Sequence, residues 1–211
     1  MMKLSDATVG VLKNFATINQ NILIEEGKEI RSMSTMKNIL ASAGVPEEFP
    51  RDVGIYDLNE FLGVLSLAKD ADIQFEDSHM LVKSGGTKIK YMYSDPSILT
   101  VPPKTFNAPE IDLNFEVKKD VLQNVLKAAA VMQLPDIVMQ NGEITATDLK
   151  NTTSNNFSVE LVGATEHRCH FKAENLKMLP GDYSVKVATA ASVSQWIGEV
   201  ASYWIAMEAM V

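Results

Sequence analysis

Lys13 and Lys127 are the side chains whose setting most suggests chemistry. Lys13 closes the octapeptide Asp6-Ala-Thr-Val-Gly-Val-Leu-Lys13, and Lys127 closes Asp120-Val-Leu-Gln-Asn-Val-Leu-Lys127, 114 residues further on. Both end in Val-Leu-Lys, and both place an aspartate seven residues before the lysine. At about 100° per residue, Asp6, Gly10, Lys13 and Thr17 share one helix face, and Asp120, Asn124 and Lys127 share the equivalent face. The opposite faces correspond as well, with Val11, Phe15 and Ile18 in one and Val125, Ala129 and Met132 in the other. Ammonium groups presented twice in the same way suit weak contacts with phosphate. Lys3, Lys118, Lys119, Lys172 and Lys177 lie in or beside helical segments and are supporting candidates. Taken singly, each lysine reads as part of a solvated polar face; recurrence lifts Lys13 and Lys127 above that reading. Lys118 falls on the apolar side of the wheel, which places it at or before the helix start. Asp6 and Asp120 read as first-turn acids that stabilise a helix N-terminus.

Other clusters carry less. His167-Arg-Cys-His170 offers three possible metal ligands, but no second group stands at zinc-like spacing. As a strand it would turn Cys169 and Phe171 inward and Arg168 and His170 outward. Gly85-Gly86-Thr87-Lys88 lacks the order of a phosphate loop and reads as a hairpin. No nucleophile–base pairing is evident, so neither an enzyme, a cofactor nor a bound metal is expected. The apolar stretch Ile98-Leu-Thr-Val-Pro-Pro103 could form a groove for a partner peptide with the C-terminal residues. Its candidates are Ile98, Leu99, Val101, Trp204, Met207 and Met210, which read equally well as packing between domains.

The elements that must position these residues follow from periodicity and punctuation. A first helix is expected over about Ser5 to Asn19, started by a capping serine or aspartate. Residues 20–54 read as short strands with turns at Glu26-Gly27 and Gly44-Val-Pro46. A second helix is expected from Tyr56 to Lys69, with Leu58, Phe61, Leu62 and Leu65 at core spacing. Strands follow at 72–76, 80–83 and 88–93, the last two joined at Ser84-Gly85-Gly86. Residues 94–112 carry Pro96, Pro102, Pro103 and Pro109 without sustained periodicity and read as a linker. The order then recurs: a strand at 111–117, a helix at 118–133, a hairpin at Asn141-Gly142, strands at 157–163 and 166–171, and a short helix at 172–179 stopped by Pro180-Gly181. Strands at 183–189, 193–199 and 202–208 close the chain. Each half thus reads as helix, strands, helix, strands, which predicts an α+β protein of two similar domains, 1–107 and 108–211.

Composition narrows the function classes. Hydrophobic residues make up 46% of the chain, enough for a core. No apolar run approaches the ~20 residues of a membrane-spanning helix, and no partnership with a membrane is expected. Cys169 is the only cysteine, which fits a reducing, cytosolic setting and leaves no intrachain disulfide. The formal net charge of −8 argues against simple electrostatic attachment to nucleic acid. The distribution is segregated, however. Segments 3–19, 55–69, 117–133 and 171–180 together carry +3, leaving −11 on the rest.

Lys3-Leu-Ser-Asp, continued by Val11-Leu-Lys-Asn-Phe-Ala-Thr-Ile-Asn19, resembles the opening helix of the sliding clamps of T-even-type phages. Ile55-Tyr-Asp-Leu-Asn-Glu-Phe-Leu-Gly-Val-Leu-Ser-Leu67 is similar to their second helix, and Asn175-Leu-Lys-Met-Leu-Pro-Gly-Asp-Tyr183 to their fourth. The order and spacing match from end to end, with 25–54 and 134–170 the weaker stretches. The resemblance implies a DNA polymerase processivity factor with the DNA-clamp fold, each domain carrying two helices on an antiparallel β-sheet. It implies a head-to-tail homotrimer closed around duplex DNA, loaded by an ATP-driven clamp loader and tethering the replicative polymerase through a short peptide. It further implies a part in late viral transcription and a place in the cytoplasm of an infected bacterial host. Within this resemblance the lysines would contact DNA without regard to sequence, the second domain more than the first because Lys118 and Lys119 flank its helix. A different class of reading is a β-rich assembly protein that oligomerises through sheet edges and ignores DNA.

Overall fold

A computed structural model describes residues 1–68, 70–163 and 166–209. They divide into two compact units, Met1–Lys104 and Thr105–Val211.

The first unit opens with helix α1 (Asp6–Ile18). Ser5 caps it, its hydroxyl accepting the Thr8 N–H at 3.2 Å. Glu47 ties this end to the neighbouring strand by accepting from the Ser5 N–H and the Thr8 hydroxyl. Burial pushes the Glu47 carboxyl up, but these donors outweigh it and hold the group below its ordinary range. Val11, Leu12, Phe15 and Ile18 form the buried stripe, and the helix ends where the Asn19 amide donates to the Met33 carbonyl at 2.7 Å. Strands β1 (Ile22–Ile24), β2 (Gly27–Met33), β3 (Ile39–Phe49) and β4 (Val53–Ile55) follow. β1 pairs antiparallel with β4, and β2 with β3. The turn expected at Gly44-Val-Pro46 does not form, because these residues lie inside β3. The β2–β3 register shifts between Gly27 and Glu29, so the missing N–H of exposed Pro46 falls where the ladder is already interrupted.

Helix α2 (Leu58–Leu67) starts two residues later than expected, because Asp57 caps it by accepting the Glu60 N–H at 3.0 Å. Leu58 and Phe61 are buried, Leu62 and Leu65 only half-buried, and Lys69, at the expected end, lies outside the described residues. Strands β5 (Asp72–Phe75), β6 (His79–Ser84) and β7 (Thr87–Met92) make an antiparallel sheet with β6 central. Gly85 and Gly86, at φ 51° and 89°, supply the left-handed backbone of the β6–β7 turn. The first part of the proline-rich stretch belongs to this unit. The Ser94 N–H donates to the Gly54 carbonyl, the Thr100 N–H to Asn21 Oδ1, and Arg31 to the Pro103 carbonyl.

The second unit contains β8 (Leu113–Val117), α3 (Lys119–Met132), β9 (Asp136–Gln140), β10 (Glu143–Thr147), β11 (Phe157–Glu160), β12 (Cys169–Lys172), β13 (Tyr183–Ala188), β14 (Val193–Ile197) and β15 (Ala201–Ala206). One antiparallel sheet runs β11-β10-β9-β12; in the other, β13 lies between β8 and β14, and β14 also pairs β15. Asn141 and Gly142, at φ 53° and 80°, make the expected hairpin between β9 and β10. Trp196 anchors the core, with ring centroids 5.7 Å from Phe171 and 6.0 Å from Tyr183. Its indole N–H donates to Ser194 Oγ at 2.9 Å, which removes the cost of burying it.

Two expectations fail in this unit. The helix expected over 172–179, and the fourth helix implied by resemblance at 175–183, reduce to one 3-10 turn at Ala173–Asn175. Pro180 disfavours helical backbone at Leu179. Two tyrosines then hold that residue open: the Tyr183 hydroxyl donates to the Leu179 carbonyl at 2.5 Å, and the Leu179 N–H donates to the Tyr203 hydroxyl at 3.1 Å. The few residues left cannot repay helix nucleation. His170 does not face solvent either. It is buried with Cys169 and Phe171, its Nε2 paired at 2.8 Å with Asp136 of the adjacent strand.

Candidate nucleic-acid interface

On α1, Asp6, Lys13 and Thr17 are exposed along one face, while Val11 and Phe15 are buried opposite. On α3, Asp120, Asn124 and Lys127 are exposed in the same pattern, with Leu122, Val125 and Ala129 buried. Met132, expected on the buried face, is 37% exposed because the helix ends there, with Gln133 in the left-handed conformation at φ 55°. Val131, at the α3 position matching Thr17, is 76% exposed on the lysine face. Neither Lys13 nor Lys127 makes a hydrogen bond or ion pair among the described residues. Both side chains are exposed, so neither has an internal ion pair to break before meeting a phosphate.

The supporting lysines divide. Lys3 is exposed in the extended segment beside Met2, whose backbone bridges Ile73. Lys118 is the α3 N-cap, in keeping with its position on the helical wheel, and pairs with Asp182 at 2.9 Å. Lys119 gives its backbone N–H to the other Asp182 oxygen at 2.8 Å, so Asp182 supplies the cap that Lys118 cannot. The donors from Lys119 and Lys118 hold the Asp182 carboxyl below its ordinary range. Hydrogen bonding to Asp182 raises Lys118 in turn. Lys172 is turned to the interior, where its ammonium contacts Asp136 Oδ1 at 2.5 Å. Lys177 is exposed past the 3-10 turn.

The residues suggested for a partner peptide fall in both units. In the first, Ile98 is 59% exposed, while Leu99 is buried over Gly54 and Val101 is half-buried. In the second, Trp204 is half-buried against Phe106 with ring centroids 4.9 Å apart, and Met207 follows on the same strand end. Met210 lies outside the described residues. Phe106 had no sequence signal of its own, standing in a stretch without periodicity.

The His167–His170 cluster is spent on structure. Burial, reinforced by the charge of Asp112, pushes the Cys169 thiol up to about 11, and His170 is held by Asp136. Among the described residues no three metal-ligating side chains converge, and no helix is long and apolar enough to cross a membrane. Asp136 and Asp182 were missed from sequence. Each acts on residues more than thirty positions away, beyond the reach of local spacing.

Residues 3–99 match a family described as DNA polymerase processivity factor, and residues 114–209 one described as gp45 sliding clamp, C terminal. The sliding clamp of Vibrio phage KVP40 is 34% identical over 222 aligned positions, which span 99% of this chain and 100% of that relative. The sliding clamp of Enterobacteria phage T4 is 32% identical, spanning 99% and 97%. Among solved structures, a PCNA2–PCNA3 complex from Sulfolobus tokodaii aligns with a TM-score of 0.72 over 99% of this chain and 100% of that one. At 12% identity that likeness is one of fold.

Proposed function

From the premise that this chain belongs to the sliding-clamp family of DNA polymerase processivity factors, we propose that it acts as a closed homotrimeric ring around duplex DNA. Such a factor performs no chemistry; it keeps a polymerase on its template. The observation that carries the reading is the pair Lys13 and Lys127, exposed at matching positions of α1 and α3 and without internal partners. Non-specific binding even of basic proteins is only about 10⁻⁴–10⁻⁶ M at physiological salt. An acidic chain with few such lysines therefore needs topology for lasting attachment. Weak lysine–phosphate contacts then permit sliding, since each exposed ion pair contributes only about 0–1 kcal/mol.

Ring closure needs a head-to-tail interface. Edge strands β7 and β11 are suited to it: β7 carries Lys88 and Lys90 outward, and β11 carries exposed Glu160. An ATP-driven loader opens the ring at a primer–template junction in the host cytoplasm. The replicative polymerase is held through a short peptide near Ile98, Leu99 and Val101 or near Trp204, Met207 and Met210. The same tether serves late viral transcription. Of the supporting lysines, Lys3, Lys119 and Lys177 join the DNA face, whereas Lys118 and Lys172 are committed to Asp182 and Asp136.

The test is retention on nicked circular DNA after loading. Wild-type protein stays until the circle is linearised, and Lys127→Glu, with its fold intact by circular dichroism, is loaded less or lost sooner. Equal retention of the variant would remove Lys127 from the interface. A monomer by native mass at micromolar concentration would overturn the ring.

A further inference from the structure

β7 and β11 each end a sheet, and each edge carries a pair of like charges. Lys88 of β7 stands directly opposite Lys83 of β6, and Glu160 of β11 directly opposite Glu143 of β10. Like charges at facing positions destabilise a strand pair. No ion pair relieves either one among the described residues. Lys83 faces Asp72 of β5 but gives its ammonium to Gln74 Oε1 at 2.8 Å, and Arg168 lines the same hollow as Glu143 without bonding to it. Lys88 and Glu160 are both exposed.

The inner faces of the two edges match as well. Ile89 and Tyr91 pair with buried Val82 and Met80, while Val159 and Phe157 pair with buried Ile144 and Ala146. All four edge residues are nevertheless only half-buried. The helices over them look the same way. Glu60 of α2 lines a cleft with Tyr91 and Met92 of β7, so the α2 flank of Glu60, Val64 and Leu67 faces that edge, with Leu67 74% exposed. On α3, Leu126 and Ala130 line a hollow together with Lys172 of β12. β12 and β11 are opposite ends of one sheet, so the other flank of α3, with Ala128 and Val131, faces β11. Val131 is 76% exposed.

We propose that β7 of one copy and β11 of the next join antiparallel in a single register: Lys88 opposite Glu160, Ile89 opposite Val159, Lys90 opposite Ser158 and Tyr91 opposite Phe157. This join rests on the ring reading above and commits each open edge to a second copy of the chain. Side chains alternate between faces with period two, so only even shifts keep the charged residues outside and the apolar ones inside. Among these, one register sets Lys88 against Glu160, giving a row of Lys83, Lys88, Glu160 and Glu143 across four strands with opposite charges at the seam. A shift by two residues sets Lys88 against Ser158, or Lys90 against Glu160, and leaves the Lys83–Lys88 pair uncompensated. The continued sheet lays α2 beside the next copy's α3, with Val64 and Leu67 over Ala128 and Val131. That contact accounts for an exposed valine at the α3 position where α1 has Thr17.

The test is cysteine cross-linking of the assembled protein under mild oxidation, beside native mass spectra of each variant. Cys169, the one native cysteine, is buried and stays out of the reaction. A disulfide needs Cα atoms about 4.4–6.8 Å apart; directly opposite residues satisfy this, and diagonal ones, at about 7–8 Å, do not. Lys90→Cys with Ser158→Cys should give a covalent trimer on a denaturing gel. Lys88→Cys with Ser158→Cys, and Lys90→Cys with Glu160→Cys, should each give about tenfold less product or lower. Val131→Asp should raise the trimer dissociation constant about tenfold or more by burying a charge at the seam, whereas Thr17→Asp should leave it unchanged. More product from either shifted pair, or none from any pair in a protein whose native mass is that of a trimer, overturns the register and leaves the ring standing. Assembly of Val131→Asp with wild-type affinity overturns the helix contact in the same way, and a monomeric wild type overturns the join and the ring together.

Discussion

Asp136→Ala should unfold the second unit early, and by an amount the structure lets one work out. Asp136 Oδ1 accepts from His170 Nε2 at 2.8 Å and Lys172 Nζ at 2.5 Å, while Oδ2 accepts the Leu149 N–H at 2.9 Å. The Asp136 side chain is 1% exposed and that of His170 5%, but Lys172 keeps 26%. Removing one partner of a buried ion pair costs about 3–5 kcal/mol. Lys172 can turn to water, which sets the expected loss at the lower end, about 3 kcal/mol. For a unit of roughly 100 residues melting on its own that is about 12–24 °C in melting temperature. Asp136→Asn keeps an acceptor oxygen and should lose about 1–3 kcal/mol. The pH dependence has a definite sign. Burial pushes the Asp136 carboxyl up, but the donors from Lys172, Leu149 and His170 outweigh it and leave the group below its ordinary 3.8. Its stabilisation is therefore fully present above 3.8 and is lost as pH falls through the lower, folded value. Thermal melts of wild type and Asp136→Ala should differ at pH 7 and converge in acid. A melt within about 1 °C of wild type at pH 7, or a gap that does not close in acid, would refute the reasoning.

Gly54→Ala would set a Cβ 2.2 Å from the Ser94 carbonyl oxygen and 3.1 Å from Leu99 Cδ1. The 94–100 segment must shift, costing about 1–3 kcal/mol, and the Thr100 amide, bonded to Asn21, should exchange faster with deuterium; unchanged exchange would sink the idea. If β7 and β11 close the ring, Lys88→Glu with Lys90→Glu should lower the trimer fraction in native mass spectra. Adding Glu160→Lys to that variant should restore part of it, and a trimer indifferent to all three changes would clear these edges of the role.

What could be read from sequence divides along physical lines. α1 and α3 were legible because each states its apolar stripe and its period locally, α1 with its capping serine as well, and the β6–β7 and β9–β10 turns because Gly85-Gly86 and Asn141-Gly142 have few other uses. The short helix at 172–179 was misread for the complementary reason. Its local signals were those of a helix, and what opens it are the hydroxyls of Tyr183 and Tyr203, brought in by strands that come later in the chain. Pro46 misled in the same way, because β3 bulges there, with residues 45–48 opposite Lys28 alone, and the interrupted ladder made room for it inside a strand. The candidate site followed suit. Exposure of Lys13 and Lys127 was a matter of helical phase, whereas the withdrawal of Lys118 and Lys172 depended on Asp182 and Asp136, partners fixed only by the tertiary fold.

That withdrawal alters how an acidic clamp can work on DNA. At physiological ionic strength a charge is screened beyond about 8 Å, so the net −8 of the chain matters to a phosphate only through the residues close to it. Lys118 and Lys172, each neutralised by a carboxylate, add little to that local field. Under the proposed reading that leaves Lys13 of α1 and Lys127 of α3 to set it, with exposed Lys3, Lys119 and Lys177 in support. Counterion release should then register few contacts. With a slope of about −0.9 in log affinity against log salt for each neutralised phosphate, replacing Lys127 by glutamate should flatten the dependence by about as much as replacing Lys13. If the two variants differed strongly, the two units would not contribute equally, and the matching of the two helices would have no bearing on the proposed DNA contact.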